Sequence, residues 1–195
     1  MSADGSVIAG SMGSPPFQHA YRWSAASALQ DLGTLQGRPY SEARAVSGNG
    51  SVIVGSSGSP EDPQIRACLW TNEGGIRDLG ALTAHEGSYA YATNHDGTVV
   101  VGMSGDSAFL WRADLGMVDL SLYLTSLGLD LTAWTLTSAN GVSADGLTIV
   151  GVGSHNGINE AWIASIPSPS FAAVFACGVL MAHRRRASSC SVMRR

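Results

Sequence analysis

The segment Ser47-Gly48-Asn49-Gly50-Ser51-Val52-Ile53-Val54-Gly55 is one of four similar segments in this 195-residue chain, with the residue types in the same order each time. The other three cover residues 2–10, 94–102 and 143–151. In each, a glycine follows the Asp or Asn, and successive glycines are 45, 47 and 49 residues apart: Gly5, Gly50, Gly97 and Gly146. A period of this length indicates a repeat architecture, in which one supersecondary unit is copied along the chain.

Two further landmarks follow the glycine segment at similar distances. The first is a small–aromatic–x–Trp run, which ends at Trp23, Trp70 and Trp111. In the fourth unit Trp162 takes the aromatic position of this run and Ala164 takes the tryptophan position. The second landmark is an Asp-Leu pair that begins at Asp31, Asp78 and Asp119. We interpret the recurrent tryptophans as core residues between units that lie near 1–42, 43–89, 90–133 and 134–166.

Each unit reads as four short strands. The Val/Ile runs are β-branched and bounded by Gly, and the preceding Asp-Gly or Asn-Gly predicts a type I′ hairpin turn with positive φ at both central residues. Counted from the strand before that turn, the first unit lacks its leading strand and the last lacks its final one. The predicted fold is therefore all-β: repeated four-stranded antiparallel blades forming a partial β-propeller of about 3.5 blades. A helical turn is expected only near 122–127, besides a short C-terminal apolar helix. Met1 falls at a mid-strand position, so we expect an N-terminally clipped or mis-started product.

The composition excludes several classes of protein. Charged residues make up only 13% and apolar residues 45%, which excludes high-charge disorder and a long charged coiled coil. Residues 1–166 hold all 15 acidic side chains and six Arg, which gives −9, and this acidic body argues against nucleic acid as a partner. Three Cys are too few for a disulfide framework.

The landmarks resemble the HAF repeat family, named after a His-Ala-Phe run. Here the run reads His19-Ala20-Tyr21, Arg66-Ala67-Cys68, Ser107-Ala108-Phe109 and Glu160-Ala161-Trp162, and residues 134–166 resemble the closing repeat of that family. The resemblance covers residues 1–166. It implies a propeller-like, exported bacterial protein without enzyme activity. Cys68 in an aromatic position and Ala164 in a tryptophan position depart from the pattern.

The composition changes at residue 167. Pro167-Ser168-Pro169-Ser170 precedes the apolar run 171–182, and His183 leads into an arginine cluster: Arg184, Arg185 and Arg186. This order resembles the PEP-CTERM sorting signal, which implies contact with a membrane and cleavage by an exosortase-like enzyme. The motif lacks the Glu, and nine residues follow the cluster. An apolar run of this length is also typical of a packed terminal helix, which stays open as the alternative.

No motif in the sequence points to catalysis or to a cofactor. The five His are scattered without metal-ligand spacing, and no Gly-x-Ser-x-Gly segment accompanies a candidate triad. Ser-Ala-Asp-Gly offers one carboxylate, too few for a Ca²⁺ cage, so turn chemistry explains that Asp better. Likewise, the Asp of each Asp-Leu pair is expected to accept backbone N–H bonds at a strand end. Cys68 is expected to be buried and unreactive.

These observations predict a non-enzymatic binding or structural module that is extracellular or attached to the cell envelope, with a polysaccharide or a protein as its ligand. The ligand surface is expected on the longer loops 57–64 and 84–91. Two alternatives stay open. One is a propeller-borne hydrolase or carbohydrate-binding protein, in which a hydrolase would need two carboxylates that converge in the central channel. The other is a cytoplasmic repeat protein with a docked C-terminal helix.

Overall fold

The structure is a computed structural model that describes residues 1–14, 17–58 and 64–167. Within these ranges nearly all regular structure is β-strand, in four antiparallel sheets whose strands follow chain order. The strands are β1 Val7–Met12, β2 His19–Ser24, β3 Ala28–Asp31, β4 Tyr40–Val46, β5 Val52–Gly58, β6 Arg66–Thr71, β7 Gly75–Gly80, β8 Ser88–Thr93, β9 Val99–Ser104, β10 Ser107–Arg112, β11 Gly116–Asp119, β12 Trp134–Val142, β13 Thr148–His155 and β14 Ile158–Ser165. The all-β prediction is confirmed.

The repeat sets the composition of each sheet. Sheet 1 contains β1–β3, sheet 2 β4–β7, sheet 3 β8–β11 and sheet 4 β12–β14. The same pair of repeat positions is aligned in every sheet: Gly10 opposite Tyr21, Gly55 opposite Cys68, Gly102 opposite Phe109, and Gly151 opposite Trp162. Among the described residues, sheet 1 therefore lacks the leading strand and sheet 4 the final strand of the complete unit, as the spacing predicts.

The leading strands lie on the inner side of the molecule. β4 contacts β8, and β8 contacts β12. Each of these leading strands also packs against the preceding sheet: β4 against β1, β8 against β5, and β12 against β9. The last strands of the sheets lie away from this inner side and make far smaller contacts with one another. The sheets thus radiate from a common inner edge, as propeller blades do.

Three apolar cores fill the three gaps between the four sheets. Trp70 is buried between sheets 1 and 2, and Trp111 between sheets 2 and 3, which confirms the core interpretation for these two residues. Trp23 is 42% exposed, so the same interpretation is wrong for it. The reason is geometric: Trp23 occupies the face that packs on a preceding sheet, and the described residues place none against sheet 1.

The turns after the leading strands differ from the type I′ prediction, which was wrong there. Only the glycine has positive φ, for example 73° at Gly50. The Asn49 side chain accepts bonds from Ser51 N at 3.0 Å and from Ser47 Oγ at 2.8 Å, and Ser47 N donates to Val52 O at 2.8 Å. The side chain therefore closes a four-residue loop, and it makes left-handed backbone unnecessary at Asn49. Both central residues have positive φ in the β13–β14 hairpin, at Asn156-Gly157.

These loops also join the sheets to one another. Ala3 N donates to Gly48 O at 2.9 Å, and Asn49 N donates to His95 O at 2.9 Å. In the same way, His95 N donates a hydrogen bond to Ala144 O at 3.1 Å. Successive units are thus linked by backbone hydrogen bonds as well as by apolar contact, which fixes the register of each sheet on the next.

The single helix of the described ranges is α1, Leu120–Ser126, close to the predicted helical turn. Asp119 caps it by accepting a hydrogen bond from Leu122 N at 3.1 Å, and Leu120 and Leu124 pack into the core between sheets 3 and 4.

Within residues 1–14, 17–58 and 64–167, no helix is both long and apolar enough to span a membrane. Pro167 is half-buried and outside regular structure. The predicted apolar helix, Pro169, Arg184, Arg185 and Arg186 lie outside the described residues.

Candidate functional site

A β-bulge recurs at one position of each leading strand. In each case one residue is inserted without a partner between two small residues that pair with the neighbouring strand. The inserted residues are Arg44 in β4, Tyr91 in β8 and Asn140 in β12. A bulge changes the direction of a side chain and is common next to binding and active sites. Three bulges therefore place three chemically different side chains at equivalent points of the inner side.

The three bulge residues line one cleft together with three neighbours. The cleft has a volume of about 600 Å³ and is lined by Glu42, Ala43, Arg44, Tyr91, Ser138 and Asn140. We call this set the bulge site. The leading strands of three sheets contribute to it, so its geometry depends on the packing of sheets 2, 3 and 4 together.

Glu42 is the electrostatic centre of the bulge site. Its Oε2 accepts a hydrogen bond from Tyr40 OH at 3.0 Å and lies 3.0 Å from Arg44 Nη2. The Arg44 side chain is 37% exposed, so most of the guanidinium donors are not consumed by this one ion pair. The site therefore presents a positioned cation that a polar ligand can reach.

The Tyr91 ring forms the second wall. The Arg44 guanidinium carbon lies 5.3 Å from the centre of the Tyr91 ring, and the Tyr89 and Tyr91 rings stack with centres 6.4 Å apart. Burial and the neighbouring Glu42 raise the pKa of Tyr40 to about 12. Burial also raises the pKa of Tyr91, although the Arg44 charge opposes this. Both phenols are neutral at physiological pH and can donate and accept hydrogen bonds.

Asn140 provides directed donors at the far side of the cleft. Ser138 Oγ donates to Asn140 Oδ1 at 2.7 Å, so the carboxamide is held through its oxygen. Its NH₂ group is then the part that remains to donate to a ligand. Together with Arg44, the site offers donors on two sides and aromatic surface between them, which suits a ligand rich in acceptor oxygens.

The repeat-defining residues predicted from the sequence have structural positions rather than places in this cleft. Gly5, Gly50, Gly97 and Gly146 have positive φ in the inter-strand loops, and Trp162 is buried between sheets 3 and 4. Asp31 and Asp78 accept bonds from the backbone N–H two residues on, at 2.8 and 2.7 Å, as predicted for the Asp-Leu pairs. Cys68 is buried, and burial raises the pKa of its thiol.

Other predicted features lie elsewhere in the molecule. The described ranges bring no three His, Cys, Asp or Glu side chains into a set that could hold a metal ion. The predicted ligand loop 57–64 falls partly outside the described residues. The loop 84–91 reaches the bulge site only at its last residue, Tyr91.

The sequence contained a signal for the bulge site that its analysis missed. Each bulge residue stands between two small residues, as Ala43-Arg44-Ala45, Ala90-Tyr91-Ala92 and Ala139-Asn140-Gly141. The flanking positions repeat while the central one varies from cation to aromatic to amide. A variable residue inside an otherwise regular repeat indicates a position that is free of packing constraints, and this is the position that faces the cleft.

Comparison with known proteins supports the fold. No known family and no curated protein matches the sequence. Among solved structures, "The structure of putative TolB from Agrobacterium tumefaciens" matches with TM-score 0.54 and 19% identity, over 84% of this chain and 56% of that one. "Crystal structure of TolB from Acinetobacter baumannii" matches with TM-score 0.53 and 12% identity, over 85% and 39%. The chain thus spans about half or less of these proteins, which it resembles in its propeller-like fold. The resemblance to HAF repeats and to a PEP-CTERM signal stays a prediction.

Proposed function

We propose that the protein is a non-enzymatic binding module of the cell envelope and that the bulge site binds its ligand, a polysaccharide. The observation that carries the proposal is the convergence of Arg44, Tyr91 and Asn140 in one cleft from equivalent positions of three sheets. Sugar hydroxyl and ring oxygens match the donors of Arg44 and Asn140. A pyranose face matches an aromatic ring, and Tyr91 is the aromatic residue that lines the cleft.

The charges of the inner strands favour binding over hydrolysis. Acid–base hydrolysis of a glycoside uses two carboxyl groups that flank the scissile bond. Along β4, β8 and β12, which the structure describes completely, Glu42 is the one acidic side chain. Its carboxylate also accepts a hydrogen bond from Tyr40 and is paired with Arg44, so both of its printed partners belong to the protein itself. The hydrolase alternative therefore lacks its second carboxyl group at this cleft.

The ligand proposal is tested with an oligosaccharide array, followed by calorimetric titration of the full-length protein with the strongest binder. Arg44→Ala, Tyr91→Ala and Asn140→Ala are each expected to weaken binding by about tenfold or more, the effect of losing one charged or well-placed hydrogen bond. Arg77→Ala is the matched control, because Arg77 also stacks on an aromatic ring, 5.0 Å from Trp111, but lies outside the cleft. Binding that is equal in all four variants, or a protein that binds no sugar, contradicts the proposal.

We further propose that residues 167–195 direct the protein to the envelope, where an exosortase-like enzyme processes them. The support is the order of Pro167, Pro169, the apolar run 171–182 and the cluster Arg184, Arg185 and Arg186. Mass spectrometry of the mature C-terminus in cell fractions tests this. We expect a product in the envelope that ends near residue 167 and a loss of processing when the three arginines are changed to Ser. Recovery of the intact chain from the cytosol supports the cytoplasmic alternative instead.

A further inference from the structure

The joint between sheets 1 and 2 differs in chemistry from the joints that follow it. On the face that packs against the following sheet, sheets 2 and 3 carry Leu69 and Leu110 at one repeat position, each opposite a valine. Both leucines are buried in the apolar cores. Sheet 1 carries Arg22 at this position, opposite Ala9. A guanidinium therefore stands where the repeat elsewhere accepts an apolar side chain.

A cleft of about 500 Å³ lies beside Arg22, between sheets 1 and 2. We call it the joint cleft. Residues of the β2–β3 and β6–β7 hairpins line it, and it shares no lining residue with the bulge site. Its volume is that of a small-molecule site. Its polar lining includes Ser24, Gln30 and Asn72.

Two serines hold the guanidinium through one of its three nitrogens. Arg22 Nη1 donates to Ser24 Oγ at 3.2 Å and to Ser27 Oγ at 3.1 Å. The two hydroxyls are hydrogen-bonded to each other at 2.7 Å, and Ser24 is only 8% exposed. Among the described residues, none accepts a hydrogen bond from Arg22 Nε or Nη2. These two nitrogens form an edge that can bind a carboxylate through two parallel hydrogen bonds.

The sheet 2 wall of the joint cleft carries a buried donor. Trp70 lines the cleft and is 2% exposed, and no described residue accepts a hydrogen bond from its Nε1. A buried N–H without an acceptor is costly, and a ligand oxygen can supply the acceptor. Asn72, which follows β6, adds an amide to the same wall. Donors therefore lie on both walls of the cleft.

Asp31 also lines the joint cleft, but its carboxylate belongs to the other face of sheet 1. Asp31 is opposite Tyr21, the neighbour of Arg22 in β2, and adjacent residues of a strand point to opposite faces. Its Oδ2 lies 2.8 Å from His19 Nδ1, and its Oδ1 accepts a hydrogen bond from Gly33 N at 2.8 Å. Arg22 is therefore the charge that a ligand in the cleft meets.

We propose that the joint cleft binds a small carboxylate, whose charged group pairs with Arg22 and whose apolar body packs between Leu32 and Trp70. One guanidinium matches the single charge of a carboxylate, whereas a phosphate carries more charge than one arginine balances. The Trp70 indole and Leu32 provide the apolar part of the lining. This site is separate from the bulge site and would bind a different class of ligand.

Benzoate and its neutral analogue benzamide are the probes that test the proposal. The nuclear magnetic resonance signal of the Trp70 indole N–H, assigned by its loss in Trp70→Phe, is followed while each probe is added to the full-length protein. Benzoate is expected to shift this signal in a saturable way, and benzamide and inorganic phosphate to bind at least tenfold more weakly. The proposal is overturned if benzoate leaves the signal unchanged, or if either of the other two binds as tightly.

Arg22→Leu is the decisive variant, because Leu69 and Leu110 show that the fold accepts leucine at this position. It is expected to keep the far-UV circular dichroism spectrum and to bind benzoate at least tenfold more weakly. If the spectrum is lost, Arg22→Lys replaces it, since lysine keeps the charge but not the two-pronged edge and should also weaken binding.

Arg77→Leu is the matched control. Arg77 lies 5.0 Å from the centre of the Trp111 ring, at the joint between sheets 2 and 3, and does not line the joint cleft. This variant is expected to bind benzoate as the wild type does. The proposal is overturned if Arg22→Leu binds benzoate as tightly as the wild type, which would place the carboxylate on another arginine. Equal losses in Arg22→Leu and Arg77→Leu would overturn it as well.

Discussion

Gly102 lies directly opposite Phe109 in the β9–β10 pairing, and a Cβ on Gly102 would lie 2.8 Å from Phe109 Cε1 and would overlap the carbonyl oxygen of Tyr89. Gly55 and Gly151 meet the carbonyl oxygens of Glu42 and Ser138 in the same way. Gly10 occupies the equivalent position of sheet 1, beside which the described part of the chain places no leading strand, and its Cβ would have open space. The glycine is therefore required by the leading strand rather than by the turn.

Alanine at these two glycines is predicted to change stability in opposite directions. Gly102→Ala inserts a methyl group between backbone and an aromatic ring, and it should destabilise the protein by about 3 kcal/mol. Gly10→Ala adds no clash and removes a flexible residue from a strand, so it should stabilise slightly, by about 0.5 kcal/mol. Urea unfolding of both variants measures this. Equal effects at the two positions would contradict the placement of the leading strands.

Truncation of two tryptophans at the same repeat position is predicted to have unequal cost. Trp70→Ala leaves a cavity between sheets 1 and 2 and should destabilise by about 3–5 kcal/mol. Trp23→Ala removes a side chain that is already 42% exposed and should cost about 0.5 kcal/mol. Denaturant midpoints of the two variants give the comparison. A loss at Trp23 as large as that at Trp70 would contradict the exposed position of Trp23.

Acid sensitivity is predicted from the loop carboxylates. A side-chain hydrogen bond from Thr98 lowers the pKa of Asp96, and one from Ser143 lowers that of Asp145. The stability they contribute is present above the unfolded-state pKa of about 3.9 and is lost as the pH falls through the lower folded-state pKa. The double variant Asp96→Asn with Asp145→Asn should therefore lose less stability than the wild type when the pH falls below about 4. Urea midpoints measured across this range test it.

Asn49 already shows that the amide can hold the same loop, since its Oδ1 makes the bonds that Asp96 Oδ1 makes in the third unit. The Asn variants are therefore expected to match the wild type at neutral pH, while Asp96→Ala is expected to be less stable there because Thr98 N loses its acceptor. If Asp96→Asn were as damaging as Asp96→Ala at neutral pH, the side-chain bond would not be what closes the loop.

The ionisation of Tyr40 is predicted to depend on Glu42. Burial is the larger cause of its pKa of about 12, and the Glu42 charge adds to it because it disfavours a second negative charge. Glu42→Gln should lower the Tyr40 pKa from that value but leave it above the usual 10. Phenolate absorbance in a pH titration of both proteins measures the difference. An unchanged titration would place the Glu42 carboxylate away from the Tyr40 hydroxyl.

The sequence predicted the repeat, its strands and the incomplete first and last sheets because each depends on local chemistry: β-branched runs, glycines at fixed spacing and Asp at strand ends. It did not predict the exposure of Trp23, because burial depends on whether a neighbouring sheet is present and not on residue type. Nor did it predict the bulge site. Small residues flank Arg44, Tyr91 and Asn140 in the sequence, but the bulges themselves depend on how the leading strands pair, and they bring together residues 47 and 49 positions apart.

The four sheets pack on one another through equivalent repeat positions, and nuclear Overhauser contacts to the tryptophan indoles can show this packing in solution. We expect cross-peaks from Trp111 to the methyl groups of Val54 and Leu69, and from Trp70 to the methyl group of Ala20. A Trp111 indole with contacts only to residues of its own sheet would show that sheets 2 and 3 do not pack in this way.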